Sequence, residues 1–122
     1  MANHNEIGKL GENLAKEYLQ SKGFTILTTN YRFEKAEIDI IAKTSQEIVF
    51  VEVKTRTTDK IEFPEHSVTP AKQNHLFRAA DAYLYQNKLE NIPARFDVLA
   101  ITLSYPVDNQ IIHYKNAFTK IL

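Results

Sequence analysis

Three residues of the chain have the types and spacing to do chemistry together: Asp39, Glu52 and Lys54. Asp39 lies in a run rich in β-branched residues, Glu37 to Ala42, and Glu52 and Lys54 lie in a second, Ile48 to Lys54. The polar stretch Lys43 to Glu47 separates the runs, a pattern that reads as a hairpin. Side chains alternate along a strand, so Glu52 and Lys54 share one face while Val49, Val51 and Val53 take the other. In the first run Ile38, Ile40 and Ala42 supply the matching apolar face, leaving Glu37, Asp39 and Ile41 opposite. A loop at Thr44 to Glu47 sets Lys43 against Ile48, Ile41 against Phe50, Asp39 against Glu52 and Glu37 against Lys54. This register keeps both apolar sets together, and a one-residue slip does not.

Directly opposed residues have Cβ atoms about 5 Å apart, and like charges so placed destabilise a sheet. Asp39 against Glu52 is therefore a cost unless a cation lies between them. Lys54 neutralises part of it, but two converging carboxylates are also what a hard divalent cation requires, and Mg²⁺ is typically held by one or two of them. Such an ion suits phosphodiester hydrolysis, with Lys54 orienting the attacking water or neutralising charge in the transition state. For Glu-x-Lys alone, the solvated face of a half-exposed sheet is the ordinary explanation. Asp39 at the matched position, on a face shared with Ile41 and Phe50, turns the reading toward a site.

The elements that must position these residues follow from periodicity. Ile7, Leu10, Leu14, Tyr18 and Leu19 recur at helical spacing from Glu6 to Lys22, and Gly23 is a C-terminal stop. Phe24 to Phe33 reads as extended, with a bend at Thr28 to Asn30. After the hairpin, periodicity disappears from Thr55 to Val68, a loop longer than compact domains usually carry. Thr69-Pro70 then starts a helix that ends near Lys88, with Leu76, Ala80, Tyr83 and Leu84 as its buried stripe. Phe96 to Leu103 is an apolar strand, Tyr105 to Asn109 a turn and Ile111 to Tyr114 a short last strand. The order α-β-β-β-α-β-β predicts an α/β fold with a mixed central sheet and a helix on each face.

Composition narrows the class. The 122 residues are the length of one domain, spanning 1–122, and at 43% apolar they can bury a core without disulfides; cysteine is absent. The N-terminal residues lack the pattern of a signal peptide and no stretch approaches the roughly 20 apolar residues of a membrane span, so a cytoplasmic protein without membrane contact is expected. Lys plus Arg equals Asp plus Glu at 15 each, which argues against a strong long-range field for polyanions. Locally, Lys54, Arg56 and Lys60 cluster in sequence, and Lys72, His75 and Arg78 fall on the second helix. These form either a basic face or ordinary solvated charges. Gln73, on the buried side of that helix, suits either a substrate contact or a backbone hydrogen bond. Asp97 reads as a strand-end cap or a partner of Arg95. The four histidines lack ligand spacing, which argues against zinc.

Glu37-Ile38-Asp39, a short hairpin and Val49-Phe50-Val51-Glu52-Val53-Lys54 together resemble the PD-(D/E)XK, or restriction-endonuclease-like, nuclease superfamily. More narrowly, the chain is similar to the bacterial YraN family. The segments that carry the likeness are Gly8 to Ala15, Asn30 to Arg32, Glu37 to Ala42, Val49 to Arg56, Val68 to Gln73, Ala82 to Leu84 and Arg95 to Val98. Ala36 stands where that family usually has glycine. The resemblance implies Mg²⁺ as cofactor, with Mn²⁺ able to substitute, and Asp39, Glu52 and the Val53 backbone carbonyl as its ligands. The family is also similar to archaeal Holliday-junction resolvases, whose further glutamate on the first helix matches Glu12, as a catalytic and metal-binding candidate. The implied activity is an endonuclease acting on nucleic acid, DNA in particular, including branched DNA. Lys54, Arg56, Lys72 and Gln73 are the candidate contacts to it, and the resolvase analogy implies a homodimer. Two rivals stand beside this reading. One is a module that keeps the nuclease fold and binds nucleic acid without cutting it. The other is an interaction scaffold using the apolar edge of the sheet.

Overall fold

A computed structural model of the chain describes residues 4–57, 68–104 and 109–119. Its order is α1 (His4–Ser21), β1 (Thr25–Phe33), β2 (Ala36–Lys43), β3 (Ile48–Thr57), α2 (Pro70–Gln86), β4 (Ala94–Leu103) and β5 (Gln110–Phe118). This is the expected α-β-β-β-α-β-β sequence. The five strands form one sheet in the order β1-β2-β3-β4-β5. Neighbouring pairs are antiparallel except β3 and β4, which run parallel because α2 carries the chain back between them.

Each helix covers one face, and β3 alternates between them. Val49 and Val51 pack with Ile40, Ala42, Leu99 and Ile101 against Ala15 and Leu19 of α1. Ile48 and Phe50 pack with Ile41, Phe96 and Val98 against Leu76, Phe77, Ala80 and Tyr83 of α2. Aromatic contacts join this second layer: Phe50 stacks on Phe96 at 5.1 Å, and Phe77 meets Phe96 edge-on at 5.3 Å. The expected wholly apolar face of the hairpin is the one turned to α1, and the opposite face is buried as well, under α2. A correction concerns β2. Ile38 lies in the α2 layer while Ile40 and Ala42 lie in the α1 layer, so strict alternation is interrupted at Asp39.

Local signals account for the ends of elements. Gly23 adopts φ +91 after α1, where a side chain would be strained. Thr69 caps α2, its hydroxyl accepting from the Lys72 N–H at 3.2 Å, with Pro70 in the first helical turn. The bend expected in β1 is a register shift between Ile26 and Thr28, followed by Asn30 at φ 53. β3 and β5 each outrun their expected ends, at Lys54 and Tyr114. The parallel ladder holds β3 as far as Thr57, paired with Leu103, and β4 orders β5 up to Phe118. Most of the expected long loop and of the Tyr105 to Asn109 turn, and with them Lys60, lies outside the described residues.

α1 crosses the far half of β3 at close range. A Cβ added to Gly11 would stand 1.9 Å from Thr55 Oγ1 and 2.8 Å from Thr55 Cβ, whereas one added to Gly8 meets nothing within 4 Å. Glycine is thus required at position 11 for α1 to seat.

Candidate metal and nucleic-acid site

The hairpin register is the expected one: Lys43 pairs with Ile48, Ala42 with Val49, Ile41 with Phe50 and Ile40 with Val51. The ladder ends there, so the expected Asp39–Glu52 and Glu37–Lys54 pairs do not form, and Glu37 pairs with Arg32 of β1 alone. Beyond it β3 stays with β4, pairing Glu52 with Val98 and Lys54 with Ala100. At the parting of β2 and β3 the Asp39 side chain replaces a backbone acceptor, Oδ2 taking the Val53 N–H at 2.8 Å. Asp39 is thereby fixed against β3 beside Glu52.

Glu52 continues the row of Ile48 and Phe50 and is only 3% exposed. Its Oε2 receives Lys72 Nζ of α2 at 3.1 Å and has Lys54 Nζ at 4.0 Å. Its Oε1 is buried and, among the described residues, accepts no hydrogen bond. A buried carboxylate oxygen left without a donor costs free energy of order 1–3 kcal/mol, more for a charged group. Native structures keep such atoms rarely.

The electrostatics agree with this geometry. Burial pushes the Asp39 carboxyl up to about 7, the Glu52 carboxylate pushes the same way, and the Val53 N–H opposes them. Glu12 adds a smaller upward push. Lys54 is held below the usual lysine range by burial and by Lys72 beside it. Burial works against the Lys72 ammonium too, but the Glu52 carboxylate and the contact with Lys54 outweigh it and hold it above that range.

Asp39, Glu52, Lys54 and the Val53 backbone are thus brought together. Glu12 stands one step away. Its Oε2 accepts from Asn30 Nδ2 at 3.3 Å, and the same amide nitrogen donates to Glu37 Oε1 at 3.1 Å, which also pairs with Arg32. Among the described residues no three acidic or histidine side chains converge as one metal-binding group. Of the candidate nucleic-acid contacts, Arg56 donates from Nε to Thr102 Oγ1 at 3.1 Å, and Gln73 donates from Nε2 to the Val68 carbonyl at 2.9 Å. The backbone alternative thus occupies the Gln73 nitrogen. Lys72 faces the acid pair, a pairing missed by sequence reasoning because nothing local to Lys72 signals which strand α2 lies over. Asn30, too, was not singled out for the site; its positive φ on a strand is visible only in three dimensions. Arg78 of the conjectured basic face is engaged by Glu34 at 2.9 and 3.1 Å.

Asp97, the other fully buried acid, has every need met. Arg95 donates to it from Nε at 3.0 Å and Nη2 at 3.2 Å, the Asn116 N–H at 2.9 Å, and His113 Nε2 lies at 2.7 Å. Burial alone would raise its carboxyl, but the bonds from His113, Arg95 and Asn116 outweigh that and hold it below the usual range. This is the Arg95 partnership expected from sequence, enlarged by β5.

Fold and site define an α/β domain with a partly unsatisfied acid pair where a hairpin parts. The model described as "Uncharacterised protein family UPF0102" matches residues 11–101, and the chain belongs to that family, the YraN family of the resemblance above. It is 44% identical over 118 residues to a UPF0102 protein of Flavobacterium psychrophilum, covering 97% of this chain and 98% of that one. A UPF0102 protein of Clostridioides difficile is 45% identical over 116 residues, covering 95% and 99%. Among the described residues no helix is long and apolar enough to cross a membrane.

Proposed function

We propose that this domain is a metal-dependent endonuclease that hydrolyses nucleic-acid phosphodiesters, with branched DNA as its substrate class and Asp39, Glu52 and Lys54 as its catalytic centre. The observation that carries the reading is Glu52 Oε1, a buried carboxylate oxygen without a partner among the described residues, beside an Asp39 whose proton affinity is raised. Two acids held together at such cost, where the β2–β3 ladder ends, are a functional-site candidate on physical grounds.

The donor set fits a hard divalent cation. Asp39 and Glu52 would hold Mg²⁺ or Mn²⁺ with the Val53 carbonyl, oxygen donors throughout, and Glu12 would act through the field it already exerts on Asp39. When bound, such an ion supplies water activation and neutralises charge building on the phosphate. Lys54, half-buried and beside both acids, orients the attacking water or meets the developing negative charge. Its lowered proton affinity suits a group that gives up and regains a proton during turnover. The resolvase likeness extends the proposal to a homodimer, one copy for each strand of a junction.

The test compares wild type, Asp39→Asn and Lys54→Ala on four-way junction, flap, single-stranded and duplex DNA with Mg²⁺ and with Mn²⁺. Asp39→Asn is expected to lose cleavage and weaken metal binding, and Lys54→Ala to lose cleavage with metal binding kept. Full activity in Asp39→Asn would remove the site. A second reading, a nucleic-acid-binding module that does not cut, is favoured by one observation: Lys72 already supplies a cation to Glu52. Wild type that binds junctions and cuts none of the substrates would select it.

A further inference from the structure

Lys72 is anchored differently at its two ends. Its backbone is fixed in the first turn of α2, where its N–H donates to the Thr69 cap. Its side chain is 42% exposed, against 4% for that of Glu52. Of the two partners in the 3.1 Å ion pair, only the lysine has a route into solvent. Lys54, at 28% exposed and 4.0 Å from the same oxygen, is the more confined of the two cations.

Both ammonium groups address Glu52 Oε2, and neither reaches Oε1. Lysine offers three donors on a flexible four-carbon stem, and here both ammonium groups spend their contact with Glu52 on the one oxygen. A divalent ion can be shared by two carboxylates. The arrangement in the described residues is therefore that of an acid pair half neutralised by a retractable cation.

We propose that Lys72 is a built-in stand-in for the metal, which occupies Glu52 when no divalent ion is bound, is displaced toward solvent when one binds, and is then free to contact a substrate phosphate. This rests on the nuclease reading of the acid pair and adds its regulation. The phosphate contact is withheld until the metal is in place. Because coupling between two ligands is reciprocal, nucleic acid that engages the released Lys72 must tighten metal binding by the same factor. The device also lowers the cost of the empty site, since a buried acid pair with no cation destabilises the fold.

The experiment follows the amine of Lys72 in the full chain. Reductive methylation read by mass spectrometry is run without divalent ion and with saturating Mg²⁺, and again with Ca²⁺, with Lys16 of α1 and Lys22 just beyond it as references. The Lys72 rate is expected to rise several-fold with metal while the references hold. In parallel, calorimetry of Lys72→Gln with Mn²⁺ is expected to show about tenfold tighter binding than wild type, within the usual range for coupled sites. A lysine that merely adds positive charge nearby would also tighten metal binding on removal, and its reactivity would rise with metal only as far as that of Lys54, which feels the same field from the same Glu52 oxygen. Lys72 reactivity that rises no further than that of Lys54, in a protein that binds Mn²⁺ through Asp39, overturns the stand-in and leaves the nuclease reading intact. Absence of any Mn²⁺ binding by wild type at millimolar concentration overturns both.

Discussion

Asp97 and Glu52 lie on adjacent strands of one sheet, closed off from solvent to nearly the same degree, and differ in everything else. Asp97 lies on the α1 side, where Tyr18 of α1 meets His113 at 3.1 Å and His113 meets the carboxylate. Both of its oxygens are engaged, by Arg95, His113 and the Asn116 backbone. Glu52 lies on the α2 side with two lysines on one oxygen and, among the described residues, no hydrogen bond to the other. The first acid is finished by the fold. The second is paired with Asp39, a neighbour of the same charge, and is finished only by something from outside. Burial of an ionised group is tolerated when it is fully hydrogen-bonded and paired. A site that departs from that rule while a neighbouring strand obeys it is one where stability has been spent on function.

The largest effect separating the two should come from Asp97→Ala. It strands Arg95 and His113 in a part-buried network that also holds Glu47 and Tyr18. Removing one member of a buried charge pair costs about 3–5 kcal/mol. Denaturant unfolding should show a loss of that order, with no change in Mn²⁺ affinity at the acid pair. A loss below about 1 kcal/mol would mean that the network is not structural, and the contrast would fail.

The next effect concerns how α1 reaches the acid end of β3. Gly11→Ala places a methyl 1.9 Å from Thr55 Oγ1. Overpacking of this kind costs about 1–3 kcal/mol. Gly8→Ala has open space around the new methyl and should be neutral or stabilising by about 0.4–1 kcal/mol through the unfolded chain. Thermal melts of the pair of variants check both. Equal melting temperatures would show that α1 is not seated through position 11. Because Glu12 follows Gly11, only the first variant should also disturb metal binding.

What could be read in the sequence divides along the same line. The hairpin register was legible because opposing apolar residues and the short polar loop admit one alignment, and it placed Asp39 beside Glu52 correctly. The helix starts and stops were legible in Gly23 and Thr69-Pro70, which act through their own backbones. Long-range geometry was not. The reach of α2 across the sheet, which delivers Lys72 to Glu52, depends on the packing of Phe77 and Leu76 against strands far away in sequence. The positive φ of Asn30 and the interrupted alternation at Asp39, which fall opposite each other between the Thr29–Ile40 and Tyr31–Ile38 pairs, likewise have no local signal. The acids themselves were visible, and so was the bond between Arg95 and Asp97, which are two residues apart. The part of the Asp97 network that comes from His113 and Asn116 was not visible.

The smallest effect is the most diagnostic, because Asp97 and Asp39 must tilt stability with pH in opposite senses. The Asp97 carboxyl is held below its ordinary value in the fold, so the unfolded chain binds the proton more readily. Its contribution is fully present above the unfolded value near 4 and is lost as pH falls through the folded one. Asp39 is raised to about 7, so between about pH 4 and 7 the native state holds a proton that the unfolded chain has released. Stability must therefore fall as pH rises through that window. Asp39→Asn keeps an acceptor for the Val53 N–H and removes the ionisation. In metal-free buffer it should be more stable than wild type, by about 0.2–1 kcal/mol from the relief of opposed like charges alone. The difference should be smallest near pH 4, widen up to about pH 7 and level off above it. Adding Mg²⁺ should reverse the order, since wild type gains stability by mass action and the variant does not. The measurement is a set of urea unfolding curves for the two proteins from pH 4 to 8, each with chelator and with millimolar Mg²⁺. A constant difference across that range would show that Asp39 does not titrate within it. A difference that widens but is untouched by Mg²⁺ would leave the acid pair buried, strained and without its proposed ligand.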